Sequence, residues 1–157
     1  MSDIAKVLFV CVHNAGTSQM AEALLRKLGG PTFDVASAGF DPRPVNPLVV
    51  EAMNLIGIDI SDATSKSVFD LCQSGRYFNY VITVCDESSA KSCRVFPGVM
   101  HRLGWNFRDP SSFEGDHEHQ LSQVIQVRDE IRDRIGTWLR ERPILSRALY
   151  ESERLNA

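Results

Sequence analysis

No apolar run in this sequence is long enough to cross a membrane, and it contains no internal repeat and no low-complexity stretch. Val7-Leu8-Phe9-Val10, near the start, falls far short of the roughly 20 residues that a span needs. Neither a basic n-region nor a small-residue cleavage site surrounds it, so no signal peptide is read there and a cytoplasmic location is expected. An excess of one charge is also missing: 17 Lys and Arg stand against 20 Asp and Glu, a net charge of −3. That balance excludes a general electrostatic grip on nucleic acid or on an anionic membrane. Any bound anion must therefore be held by local geometry. Metal-ligand spacing is lacking as well, because the 4 cysteines include no Cys-x2-Cys and no nearby His pair completes a zinc set. His117 and His119 stand two apart, do not share a helix face, and read as a solvated helix start. In a reducing compartment the cysteines stay unbridged, which makes them inert or redox-active. No metal and no organic cofactor is implied.

What is present is the composition of an ordinary soluble protein, 43% apolar and 24% charged over 157 residues. A chain of this size hides roughly 70% of its unfolded surface and needs no staple. One domain is expected over 1–141, with 142–157 a C-terminal extension beginning near the helix-interrupting Pro143. Val7 to Val10 predicts a strand covered on both faces, ending at Cys11. A helix is predicted from Ser18 to Leu28, with Met20, Ala21, Leu24, Leu25 and Leu28 on its inward stripe. Ser18 with Glu22 supplies helix-start chemistry, and Gly29-Gly30 the stop. Phe33 to Ala38 predicts a second strand, Pro47 to Leu55 a helix stopped by Gly57, and Val68 to Gly75 a short helix. Tyr80 to Val84 predicts a buried strand ending at Cys85, and Val99 to Leu103 the last strand. A long amphipathic helix is predicted from His117 to Arg140, with Leu121, Val124, Ile125, Ile131, Ile135, Trp138 and Leu139 inward. Alternating strands and helices imply an α/β fold with a parallel sheet. Ligands of such sheets bind beyond the carboxyl ends of the strands, where Cys11 and Cys85 both fall.

Cys11-Val12-His13-Asn14-Ala15-Gly16-Thr17-Ser18 joins a strand to a helix N-terminus. Such a loop can turn its N–H groups inward as an anion nest, and the helix dipole adds positive potential. The same field is expected to lower the pKa of the Cys11 thiol and favour the reactive thiolate. Ser18 can donate to Cys11, Asn14 can brace the loop, and Gly16 permits a backbone conformation that other residues resist.

The stretch from Val7 to Leu25, VLFVCVHNAGTSQMAEALL, resembles the signature of arsenate reductases with the low-molecular-weight tyrosine phosphatase fold. So do Ala36-Ser37-Ala38-Gly39, Val45-Asn46-Pro47, Glu51-Ala52-Met53, Thr64-Ser65-Lys66, Trp105 with Asp109-Pro110, and Arg128-Asp129-Glu130-Ile131, in order over about residues 5–140. The resemblance implies a four-stranded parallel sheet flanked by helices, an arsenate or phosphate-like oxyanion in the loop, and thioredoxin as partner. It implies Cys11 as nucleophile, Asp109 as acid for the departing oxygen, and Cys85 and Cys93 as a thiol relay. A disulfide then passes from Cys11–Cys85 to Cys85–Cys93. Eight helical residues span about 12 Å, while the Cα atoms of a disulfide lie about 4.4–6.8 Å apart, so Asp86 to Ser92 must loop or unwind in turnover. Cys72 matches no family position and reads as structural. Lys66 is expected near the loop, tuning its charge, or else at the surface.

One position departs from the pattern: the family has Arg where this sequence has Thr17. That arginine forks onto two oxyanion oxygens, whereas Thr17 offers one neutral hydrogen bond. Losing a single preorganised donor lowers a rate by about 100- to 1000-fold. A cation such as Arg43 or Arg108 reaching in is one compensation. The alternatives are a low-molecular-weight phosphatase, which leaves Cys85 and Cys93 without a role, or a catalytically weak oxyanion-binding or redox-responsive module.

Overall fold

A computed structural model describes residues 4–84 and 101–141. Cys85, Cys93, the looping segment between them and the extension 142–157 lie outside the described residues. Four strands, β1 (Ala5–Cys11), β2 (Phe33–Gly39), β3 (Tyr80–Thr83) and β4 (His101–Gly104), form one parallel sheet in the order β2-β1-β3-β4. Four helices connect and cover them: α1 (Thr17–Gly29), α2 (Pro47–Asn54), α3 (Val68–Gln73) and α4 (His117–Glu141). The last strand is expected from Val99; its described part begins at His101.

β1 is central, and its side chains alternate between two apolar layers because successive residues of a strand point to opposite faces. Val7, Phe9 and Cys11 pack with α1, α2 and α4, through residues such as Met20, Leu24, Met53, Val124, Ile131 and Trp138. Leu8 and Val10 face the other way, toward Ala36, Val68, Phe78 and Val81, with Cys72 of α3 half-buried against that smaller layer. A continuous run of apolar residues is what a strand covered on both sides requires. Three helices therefore lie over one face and α3 over the other.

The helix termini follow local chemistry. Asn46 caps α2 by accepting the Leu48 N–H at 3.0 Å, with Pro47 in the first turn, where a missing N–H leaves no bond unmade. Ser67 caps α3. α1 differs from its expected start, because Gly16 is its N-cap with no side-chain bond, and Ser18 is committed elsewhere. Leu28 is also not inward but 46% exposed. Periodicity gives a direction around a helix, not how far the core extends along it, and Leu28 sits in the last turn. In α4, Leu121, Ile125 and Leu139 are only partly buried, whereas Val127 and Arg128 are buried. Arg128 tolerates burial because its guanidinium donates to the Ala52 carbonyl at 2.7 Å and pairs with Asp129 at 2.9 Å. Among the described residues no helix is long and apolar enough to cross a membrane.

Ile131 is fully buried in the larger layer. Replacing it with Ala is expected to lower stability by about 2–5 kcal/mol, as lost transfer energy plus a cavity. Urea unfolding should show a lower midpoint with an unchanged slope.

Candidate active site

β1 ends at Cys11 and α1 begins at Thr17, so the intervening loop lies at the carboxyl edge of the sheet. Its carbonyl oxygens are drawn outward by the segment that follows β2. Phe40, Asp41, Arg43 and Asn46 donate their N–H groups to the carbonyls of Cys11, Val12, His13 and Ala15 at 3.3, 2.7, 3.0 and 2.9 Å. Turning those carbonyls out turns amide N–H groups in. The N–H of Asn14 points at Cys11 Sγ, 3.0 Å away. Those of Val12, Ala15, Gly16 and Thr17 have no acceptor among the described residues. Gly39 allows the close approach, since a Cβ there would lie 2.7 Å from both the Asn14 nitrogen and the Val12 oxygen.

Asn14 holds the loop from inside. It has φ 51°, a left-handed conformation that Asn adopts more readily than most residues, so the positive-φ position is Asn14 rather than Gly16. Its amide donates to Ser18 Oγ at 2.8 Å and Ser37 Oγ at 2.9 Å. Its side-chain oxygen accepts from the Lys66 N–H at 2.8 Å and Gln19 Nε2 at 3.1 Å. Its backbone oxygen accepts from Ser65 Oγ at 2.9 Å and again from Gln19. Ser37 passes its hydrogen to Glu22 at 2.9 Å, and Glu22 in turn faces Arg26 and Lys66 at 3.3 and 3.8 Å. Lys66 thus meets the loop through its backbone, and its ammonium is spent on Glu22 and the Thr64 carbonyl. Glu22 belongs to this network rather than to the helix start. Gln19, Ser37 and Ser65 were not singled out from sequence. For Gln19 and Ser37 the signal available was a polar side chain at a position that the helix or strand pattern marks as buried; Ser65, in a loop, offered none.

Cys11 Sγ lies 2.8 Å from Ser18 Oγ. It forms one wall of a cavity lined also by His13, Thr17, Asn46, Phe107, Asp109 and Pro110. Asp109 reaches the cavity from the connection between β4 and α4, and also accepts the Ser111 N–H at 2.9 Å, initiating the turn at Pro110–Ser112. Pro110 seats that connection against Gly16, where an added Cβ would meet the ring at 3.2 Å. The fold therefore brings Cys11, Ser18, Thr17 and Asp109 together. Among the described residues the lining contains no Lys or Arg. Arg43 is paired with Asp41 at 3.2 Å in solvent, and Arg108 lies over the Phe113 ring, so neither replaces the missing arginine. No group of three or more His, Cys, Asp or Glu among the described residues is placed to hold a metal ion.

The thiol does not behave as the loop's field alone suggests. Burial pushes Cys11 above the range of a free thiol, although the Ser18 hydroxyl and the N–H groups of Asn14, Ser18 and His13 pull it down. Neutral donors offset only part of the desolvation, and no cation among the described residues supplies the rest.

A cysteine at the head of a four-stranded parallel sheet, in a loop that turns its N–H groups inward, is the arrangement of a phosphatase-type fold. The chain belongs to the low molecular weight phosphotyrosine protein phosphatase family, whose model matches residues 6–147. Curated arsenate reductases are among its relatives. The protein of Halalkalibacterium halodurans is 40% identical over 133 residues, covering 84% of this chain and 93% of the relative. Among solved structures, an arsenate reductase in the phosphate-binding state superposes with a TM-score of 0.71 at 26% identity, covering 88% of this chain and 98% of that one. A thioredoxin-dependent arsenate reductase of Corynebacterium glutamicum gives 0.59 at 33% identity, covering 87% of this chain and 64% of that one.

Two outcomes follow from the loop. Asn14→Ala orphans several buried partners and forces Ala into the left-handed region, an expected loss of about 3–5 kcal/mol in urea unfolding. Asn14→Gly should recover only about 1 kcal/mol of it, the conformational part. The second concerns Cys11. Because its native pKa is raised, the folded state keeps a proton that the unfolded chain loses first. The associated stability is present below the ordinary thiol range and is lost as pH rises through the native value. Alkylation of Cys11, followed by peptide mass spectrometry, should be slow near neutral pH, with a midpoint above that of a free thiol. Thr17→Arg should lower that midpoint.

Proposed function

We infer that this chain reduces arsenate to arsenite through three cysteines, with thioredoxin restoring the dithiol. The observation that supports the reading best is Cys11 set against a loop whose carbonyls all point away from the cavity. Such a surface offers hydrogen to each oxygen of a tetrahedral anion while a sulfur faces its central atom.

The chemistry balances as follows. The Cys11 thiolate attacks arsenic and forms a sulfur–arsenic bond, while Asp109 gives a proton to an oxygen that leaves as water. Cys85 then attacks Cys11 sulfur. The electron pair of the sulfur–arsenic bond moves to arsenic, which departs as arsenite, and a Cys11–Cys85 disulfide remains. Cys93 attacks Cys85, frees Cys11 and leaves Cys85–Cys93, which thioredoxin reduces. Ser18 donates to the Cys11 sulfur and so favours the attacking form. The parts of Cys85 and Cys93 rest on their order in the sequence and on the arsenate reductase relatives. The cation-free lining favours a second reading, in which the same site binds oxyanions and turns them over weakly.

The test is arsenate-dependent NADPH oxidation with thioredoxin and its reductase, comparing the chain with Thr17→Arg and with Ser at Cys11, Cys85 or Cys93. Turnover is expected, abolished by each Cys→Ser change and raised at least about 100-fold by Thr17→Arg. Mild oxidation should remove two thiols as Cys85–Cys93. Turnover only in the Thr17→Arg variant would favour the binding module, and none in any variant would end the reductase reading.

A further inference from the structure

We propose that Thr17 makes this site selective for an oxyanion that keeps an O–H group, and that a hydroxyl in place of a guanidinium shifts its preference toward the singly charged form. The proposal rests on the anion-site reading above and concerns which ionisation state the site takes.

Thr17 is 5% exposed, lines the cavity with Cys11, and its hydroxyl has no hydrogen-bond partner among the described residues. A guanidinium can only donate hydrogen, but a hydroxyl both donates and accepts. An oxyanion that carries an O–H group can therefore give that hydrogen to Thr17 while its bare oxygens take the N–H groups of Val12, Ala15, Gly16 and Thr17. Both the singly and the doubly charged forms of phosphate keep an O–H and can make this bond, whereas sulfate has no hydrogen to give, so the hydroxyl separates protonated from unprotonated anions. Between the two phosphate forms the preference comes from charge. Without a cation in the described lining, a second negative charge meets only neutral dipoles in a partly desolvated space, and desolvation grows steeply with charge.

Among the described residues, the titratable groups facing this space are Cys11 at the end of β1, His13 in the loop and Asp109 before α4. The His13 ring is turned to the Asp41 carbonyl at 3.1 Å. Asp109 carries a negative charge when ionised, which again disfavours a dianion. Asn46 and Ser111, from the remaining walls, are neutral. Because Cys11 could exchange a proton with its ligand, binding must be measured with that group removed.

Calorimetric titration of Cys11→Ser with phosphate and with sulfate, across the second ionisation of phosphate, isolates the effect. Sulfate keeps two charges and no proton throughout, so it is the reference against which the ionisation of phosphate is read. Phosphate is expected to bind more tightly than sulfate on the acid side, with the ratio falling as the dianion replaces the monoanion. Adding Thr17→Val, which keeps the shape and removes the hydroxyl, should cut the ratio about tenfold on either side of that ionisation, the size of one hydrogen bond. Thr17→Arg should raise sulfate affinity and reverse the trend. Equal binding of the two anions on the acid side, or a ratio unmoved by Thr17→Val, overturns the proposal and leaves the anion site standing. Failure of every anion to bind, with Thr17→Arg included, overturns both.

Discussion

The whole site depends on which way seven peptide groups face, and a buried asparagine decides it. A loop from strand to helix has as many carbonyls as amides, and left to itself it would show an anion both. Here the segment after β2 draws off the carbonyls of Cys11, Val12, His13 and Ala15, while Gln19 and Ser65 take that of Asn14. Asn14 fixes the turn itself, since its side chain bonds to three parts of the chain: the start of α1, β2 and the Thr64-Ser65-Lys66 stretch. A buried polar network of this kind is stabilising only when every member is satisfied. The anion surface is thus a by-product of satisfying the loop's own hydrogen bonds elsewhere.

Gly39 belongs to the same constraint. Its lack of a side chain lets β2 run close beneath the loop, and its N–H donates to the Lys66 carbonyl at 2.8 Å. Three separate parts of the chain are therefore locked to one backbone path. The short Ala-Ser-Ala-Gly and Thr-Ser-Lys stretches then carry meaning that neither composition nor periodicity conveys.

That is also why some features were legible in the sequence and others were not. The β1 strand was legible because Val7, Leu8, Phe9 and Val10 form an unbroken, β-branched-rich apolar run of strand length, and the strand-to-helix loop because a tight polar stretch with Gly16 follows it. The role of Ser18 at the helix start was misread because capping and sulfur-bonding call for the same side chain. Only the position of Gly16 at the N-cap separates them. Arg128 was hidden by its charge: nothing local says that the Ala52 carbonyl, on another helix, is waiting for its guanidinium. The raised Cys11 thiol was missed for a quantitative reason. Helix-end dipoles and hydrogen bonds favour a thiolate by modest amounts, and burial opposes it by more.

Thr17 and that thiol are two sides of one electrostatic fact. A cation at position 17 would both draw in a doubly charged anion and stabilise the Cys11 thiolate, so its absence shifts both equilibria toward the protonated form. The two shifts oppose each other in chemistry, because attack on arsenic needs a thiolate while a cavity with no Lys or Arg in its described lining tolerates only limited negative charge. A thiolate with a dianion would bring three negative charges together there, a thiolate with a monoanion two. Under the proposed function the productive complex is then a thiolate with a singly charged oxyanion. The N–H groups of Asn14, Ser18 and His13 and the Ser18 hydroxyl already face the sulfur. Those of Val12, Ala15, Gly16 and Thr17 remain for the oxygens. Dividing the donors in this way lets a loop without a guanidinium keep nucleophile and anion side by side, and it makes the position of the proton, rather than the strength of the grip, the quantity that limits what the site can do.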